Sequence, residues 1–120
     1  MGVTVADLMS LPSLRGAAVL GGRTGLGKIV NFVSVLEYTR IDSVQDYMFN
    51  TVEFLGNELI ITCFADIRDD PAAQCTNIRR LAEIGMAGII LYYVGVVMPE
   101  VNQKLIEAAD EYDFPLICMP

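Results

Sequence analysis

The chain has no histidine. That removes Ser-His-Asp and Cys-His catalysis and most zinc sites, which depend on an imidazole. Cysteine is scarce and odd in number: Cys63, Cys75 and Cys118, widely spaced and without a Cys-x-x-Cys pair. This argues against a disulfide framework or a thiolate metal site. Two of the three lie in apolar runs, so buried free thiols and a reducing cytoplasm are expected. Positive charge is also short, with 8 Lys and Arg scattered against 15 Asp and Glu, a net charge of −7. Such a segment repels phosphate backbones, which disfavours direct DNA or RNA binding by it. Long hydrophobic runs are missing too. The longest, Met86–Met98, is interrupted by glycines and too short for the ~30 Å of a bilayer core. The N-terminus has no basic region leading into an apolar one, as a signal peptide would. Met1-Gly2 lacks the Ser or Thr that myristoylation wants at position six, where Ala6 stands. No membrane partner is expected.

What is present suits one folded domain. Hydrophobic residues make up 53% of the 120 and charged residues 19%, enough to build a core at this length. The clearest stretch runs from Gly56 to Asp70. A turn dipeptide, Gly56-Asn57, leads into Leu59-Ile60-Ile61-Thr62-Cys63-Phe64, which reads as a strand buried on both faces. A charged corner follows, then Asp70-Pro71 as N-cap and first residue of a helix. That helix runs to about Ile84, with Cys75, Ile78, Leu81 and Ala82 inward and Gly85 as its stop. Ala87–Val94 is a second apolar strand. A second helix is predicted from Pro99-Glu100 to about Tyr112, with Val101, Leu105, Ala108 and Tyr112 as its stripe. Pro115–Met119 is a last strand. This β-α-β-α-β order requires parallel neighbours. The predicted class is α/β: a single small domain, mostly parallel sheet with flanking helices.

The first half is less regular. Thr4–Leu11 reads as a short helix, with Thr4 as N-cap, Asp7 completing a capping box, and Val5, Leu8 and Met9 inward. Ala17–Leu20 is a short strand, and Ile29–Leu36 a longer one that partly alternates. Both are expected to join the sheet. Between them Gly22 to Lys28 nearly matches a phosphate-binding loop. Ile29 stands where the magnesium-binding hydroxyl belongs, and a β-rich run replaces the required helix, so a plain turn is the better reading. Residues 39–55 form a long irregular connection with no firm assignment. Ending on a strand at Pro120, the chain reads as a fragment of a longer protein.

The sequence offers no catalytic group: no nucleophile with a nearby base, and no carboxylate pair free of a capping role. No cofactor and no metal are expected. Polar groups at strand exits are the natural ligand contacts in open α/β sheets. Those are Glu37, Thr62, Asp66 and Arg68. Arg68 is the most interesting, since its planar fork suits an anionic or amide ligand. Ion pairing of Arg68 with Asp66, Asp69 or Glu37, and core packing of Thr62 and Cys63, are the structural alternatives. Met86, Tyr92, Tyr93, Val96, Val97 and Met98 are an alternative interaction surface.

The order of short motifs adds a resemblance. Thr4–Leu8, Leu14–Gly22, Gly25-Leu26, Val30–Glu37, Gly56–Thr62, Arg68–Pro71, Leu81–Gly88 and Pro115–Pro120 follow one another as in the N-terminal domain of the purine catabolism regulator (PucR-type) family of bacterial transcription factors. The resemblance covers nearly the whole chain. It implies a cytoplasmic sensory or regulatory domain without enzymatic activity, a small-molecule effector such as a purine catabolite, and a homodimer. It also implies DNA contact only through a separate C-terminal helix-turn-helix. A ligand-free dimerisation module is the competing reading, and a nucleotide-handling enzyme domain a third.

Overall fold

A computed structural model describes residues 2–35, 57–98 and 100–119, apart from the side chains of Val35 and Asp66. The expectations for residues 39–55 and for Glu37 lie outside the described residues. The strands are β1 (Val3–Thr4), β2 (Ala18–Gly21), β3 (Ile29–Val30), β4 (Phe32–Val35), β5 (Glu58–Thr62), β6 (Gly88–Leu91) and β7 (Leu116–Cys118). The main sheet has the order β2-β7-β6-β5-β4. β4 through β7 are parallel, and β2 closes the far side antiparallel to β7. The α/β class and the β-α-β-α-β half are as the sequence predicts.

Two crossover helices join the central strands, Pro71–Glu83 between β5 and β6, and Gln103–Glu111 between β6 and β7. The strands advance in one direction across the sheet, so right-handed crossovers place both helices on the same face. Alternation along each strand then divides the core in two. Ile60, Ile89, Leu91 and Leu116 pack with Ile78, Leu81 and Leu105 of the helices. Leu59, Ile90 and Ile117 pack on the other face against Val5 and Leu14. The N-terminal segment is therefore the second layer, without which that face would meet water.

The short N-terminal helix, Val5–Leu8, carries the predicted capping box: the Asp7 N–H donates to Thr4 Oγ1 at 3.1 Å and the Thr4 N–H donates to the Asp7 carboxylate at 2.9 Å. These bonds favour the ionised carboxylate and hold the Asp7 pKa below its usual value. The helix is shorter than predicted, giving way to a 3-10 turn at Pro12–Leu14. The predicted strand from Ile29 splits at Asn31. Ile29-Val30 leaves the main sheet and pairs with β1, while Phe32–Val35 joins β5. Asp70 caps the first crossover helix by accepting from the Ala73 N–H at 3.1 Å. The second crossover helix begins later than Pro99. Its N-cap is Asn102, whose side chain accepts from the Lys104 N–H. The cysteines are free but half-buried rather than buried, and partial burial raises the Cys75 and Cys118 thiols above their ordinary values. The surface expected around Met86 and Met98 is corrected as well. Both are core residues, each 1% exposed, and only Tyr93 and Val96 of that group are strongly exposed.

The stretch from Gly22 to Lys28 is a tertiary clamp. Gly22 sits at φ +68, and a Cβ there would lie 2.0 Å from the Phe114 carbonyl oxygen; at Gly25 it would lie 2.0 Å from that of Asp113. Neither position admits a side chain. The Gly22 N–H donates to Asp110 at 2.7 Å, and the Thr24 hydroxyl donates to Asp113. Lys28 Nζ lies 5.6 Å from the centre of the Phe114 ring. Partial burial lowers the Lys28 pKa, against an opposing effect of Asp113. The next element is β3, not a helix, so the backbone N–H groups do not converge on a phosphate. Gly25→Ala is expected to lower unfolding stability by ~2–3 kcal/mol through forced overpacking, measured by urea denaturation, whereas Gly27→Ala, which meets nothing within 4 Å, should change it little.

Candidate functional site

The C-terminal ends of β5 and β6 carry the loops that enter the two crossover helices. After β5 the chain turns at Phe64, held at φ +53, and passes through a 3-10 turn at Ala65–Ile67. Arg68 and Asp69 follow, before the Asp70 cap. After β6 the chain makes a tight turn over Tyr93–Met98 and reaches Glu100 and Asn102. Between these segments lies an open cleft of about 220 Å³ lined by Arg68, Asp69, Pro71, Gln74, Glu100 and Asn102.

Gln74 holds the first wall in place. It is 2% exposed, and its Nε2 donates to the Ile67 carbonyl at 2.9 Å and to the Arg68 carbonyl at 3.3 Å. The loop that presents Arg68 is thereby tied to the helix behind it. The Arg68 guanidinium donates to the Ala65 carbonyl at 2.7 Å, and its Nε is 3.9 Å from Asp69 Oδ2. That pair is solvated, with side chains 54% and 85% exposed, so it contributes little to stability. A guanidinium has five N–H donors, which leaves Arg68 donors for a ligand. Asp69 and Glu100 supply acceptors across the cleft. One cation against two carboxylates disfavours a phosphate. The mixture suits a compact ligand carrying both amide-like donors and carbonyl acceptors.

Of the four residues singled out in the sequence, Arg68 lines this cleft and Thr62 does not. Thr62 is buried, 5% exposed, and its hydroxyl accepts from the Phe64 N–H at 3.2 Å, bracing the left-handed turn. The Asp66 side chain and all of Glu37 lie outside the described residues. Sequence reading missed Gln74, Glu100 and Asn102. Two signals were available. Gln74 lies on the same helical stripe as Ile78 and Leu81, where a polar residue must find a partner. Asn102 is a good N-cap, placed three residues ahead of the apolar Leu105. Among the described residues no group of His, Cys, Asp and Glu could hold a metal ion, and no helix is long and apolar enough to cross a membrane.

The comparisons with known proteins agree with the motif order. The sequence model of the Purine catabolism regulatory protein-like family matches residues 7–120. The chain belongs to this family. It is 28% identical over 119 residues to the Purine catabolism regulatory protein of Bacillus subtilis (strain 168), an alignment that covers 98% of the chain and 20% of that protein. The chain thus spans about a fifth of the length of this curated relative. In this member of the purine catabolism regulatory family, the match takes in every residue that lines the cleft.

The geometry assigns Thr62 to the turn. Thr62→Val should therefore lower unfolding stability by ~1–2 kcal/mol through the lost bond to a buried N–H, read by urea denaturation. Arg68→Ala, which removes only solvated contacts, should stay within ~0.5 kcal/mol of the parent.

Proposed function

We propose that the chain is the effector-responsive regulatory domain of a cytoplasmic bacterial transcription regulator of purine or nitrogen catabolism. A small metabolite binds at the strand-exit cleft, Arg68 donates to its carbonyl or carboxylate oxygens, and Asp69 and Glu100 accept from its N–H groups. In this reading Glu37 and Asp66 are further ligand contacts, and Thr62 supports them by bracing the turn at Phe64. Binding shifts the arrangement of a homodimer, and a separate C-terminal helix-turn-helix meets the DNA.

The observation that carries this reading is the cleft between the entries to two crossover helices, with a guanidinium whose remaining donors are available. Membership of the family and the name of the Bacillus subtilis relative supply the biological context. The net charge of −7 fits a part that leaves DNA to another domain. The reading assigns no catalysis to the chain, because the one stretch reminiscent of nucleotide chemistry is committed to packing on Asp113 and Phe114. A ligand-free dimerisation module is the second reading, favoured by the exposure of Phe32, Tyr93 and Val96.

Thermal-shift measurement against a panel of purine catabolites separates the two. A true effector at ~100 times its Kd adds ~2.7 kcal/mol of apparent stability, a clear rise in Tm. Arg68→Ala should abolish the rise, while Arg79→Ala, whose side chain pairs with Glu83 elsewhere on the helix, should retain it. A panel in which no compound moves Tm, or a full response in Arg68→Ala, rejects the cleft as an effector site.

A further inference from the structure

The two edges of the main sheet are finished differently. At one edge, β2 is broken by an irregularity between Val19 and Gly21, and the Arg23 guanidinium donates to the Val19 carbonyl at 2.8 Å. A bulge and a charged side chain on the backbone are two of the devices that stop an edge strand from recruiting another strand. At the other edge, β4 has neither. It pairs with β5 in unbroken register, Phe32 with Glu58 through Val35 with Ile61. It contains no charge and no proline, and neither do the three residues before it. Phe32 is 49% exposed and Val33 56% exposed. Successive residues point to opposite faces, so the strand is open on both. Among the described residues nothing hydrogen-bonds to its outer side.

The apolar surface continues past the strand. An open groove of about 210 Å³ is lined by Val3, Leu8, Val30, Asn31, Phe32 and Val33, five of them apolar. Val3, Leu11 and Ile29 are also well exposed.

We propose that β4 and this groove form the interface with a second copy of the chain, the two β4 strands pairing antiparallel about a two-fold axis. A two-fold perpendicular to the sheet at Val33 sets Val33 opposite Val33 and Phe32 opposite Ser34, the two residues of the strand whose backbone groups face away from β5. No like charges face each other, although each copy carries a net charge of −7. That is the self-complementarity an isologous contact needs, and Phe32–Val35 supplies it with four uncharged residues. The result is one continuous sheet through two domains, with apolar strips flanking the junction. This rests on the homodimer of the proposed function and not on its effector. It moves the contact from the Tyr93–Val96 turn to the sheet edge.

Light scattering on the 120-residue chain across a concentration series tests it, with added salt to screen the repulsion between copies. The parent should reach twice its 13.2 kDa mass. Val33→Lys should remain at the single-chain mass with unchanged circular dichroism, because this position is exposed, and should melt where the parent melts when diluted to single chains, with no dependence on concentration. Val96→Lys, on the exposed turn, should dimerise as the parent does. Hydrogen exchange on the parent should show amides in Phe32–Val35 becoming protected as concentration rises, a result that does not depend on how the variant folds. A parent that stays monomeric overturns both the dimer and the surface. A dimer that survives Val33→Lys, that Val96→Lys breaks, or that leaves β4 amides unprotected overturns the surface alone and leaves the effector reading to its own test.

Discussion

Three strands of this protein are apolar on both faces, and that constraint organises everything else. Leu59, Ile60, Ile89, Ile90, Leu116 and Ile117 are all buried, alternating between the two sides of one sheet. Each such side chain contributes ~1.5–3 kcal/mol only if its face is covered. Crossover helices can cover one side alone, because β5, β6 and β7 follow in order and every crossover has the same hand. The second cover must come from elsewhere, and the chain supplies it from its first thirty or so residues. Val5, Leu14 and their neighbours act as a lid on the face that the helices leave bare.

This lid explains the glycine-rich stretch better than nucleotide chemistry does. Val5 and Ala6 donate their N–H groups to the carbonyls of Lys28 and Leu26 at 3.0 and 2.9 Å. The stretch from Gly22 to Lys28 is gripped in turn by Asp110 and Asp113 and pressed on the Phe114 carbonyl. The glycines thus connect the lid to the far end of the second crossover helix. The same monotonic strand order shapes the ligand cleft. A reversal of strand order opens a deep crevice in many α/β sheets. The parallel part here has no reversal, and the cleft is a shallow one between neighbouring helix entries. Recognition in it rests on a few polar groups with fixed loops behind them, which is why Gln74, locked beneath Arg68, matters as much as Arg68 itself.

Much of this was legible in the sequence. Unbroken apolar runs near Ile60 and Ile89, punctuated by Asp70-Pro71 and Gly85, define the parallel half because run length and caps are local signals. The capping box at Thr4 and Asp7 was legible for the same reason. The break at Asn31 was not. Ile29–Leu36 has one continuous β-prone composition, and only pairing with Val3 and Thr4 decides that Ile29 and Val30 leave the main sheet. The burial of Met86 and Met98 was hidden too, since a run rich in methionine and tyrosine reads alike whether it faces core or solvent. At the site, Arg68 could be chosen from its place after a strand. Glu100 and Asn102 reach the same cleft from a loop some thirty residues later, and that convergence belongs to the fold, not to any local pattern. Residues 36–56, including Glu37, stand outside what the structure describes.

The central claim is that the N-terminal segment is an integral layer of the core and not an arm laid on a finished domain. Native-state hydrogen exchange tests this most directly. The Val5 and Ala6 amides, bonded to Lys28 and Leu26, should exchange only through global unfolding, with the same free energy as the amides of Ile60 and Ile89 in the central strands. Exchange of Val5 and Ala6 at a free energy well below that of the strands, with the strands still protected, would contradict it.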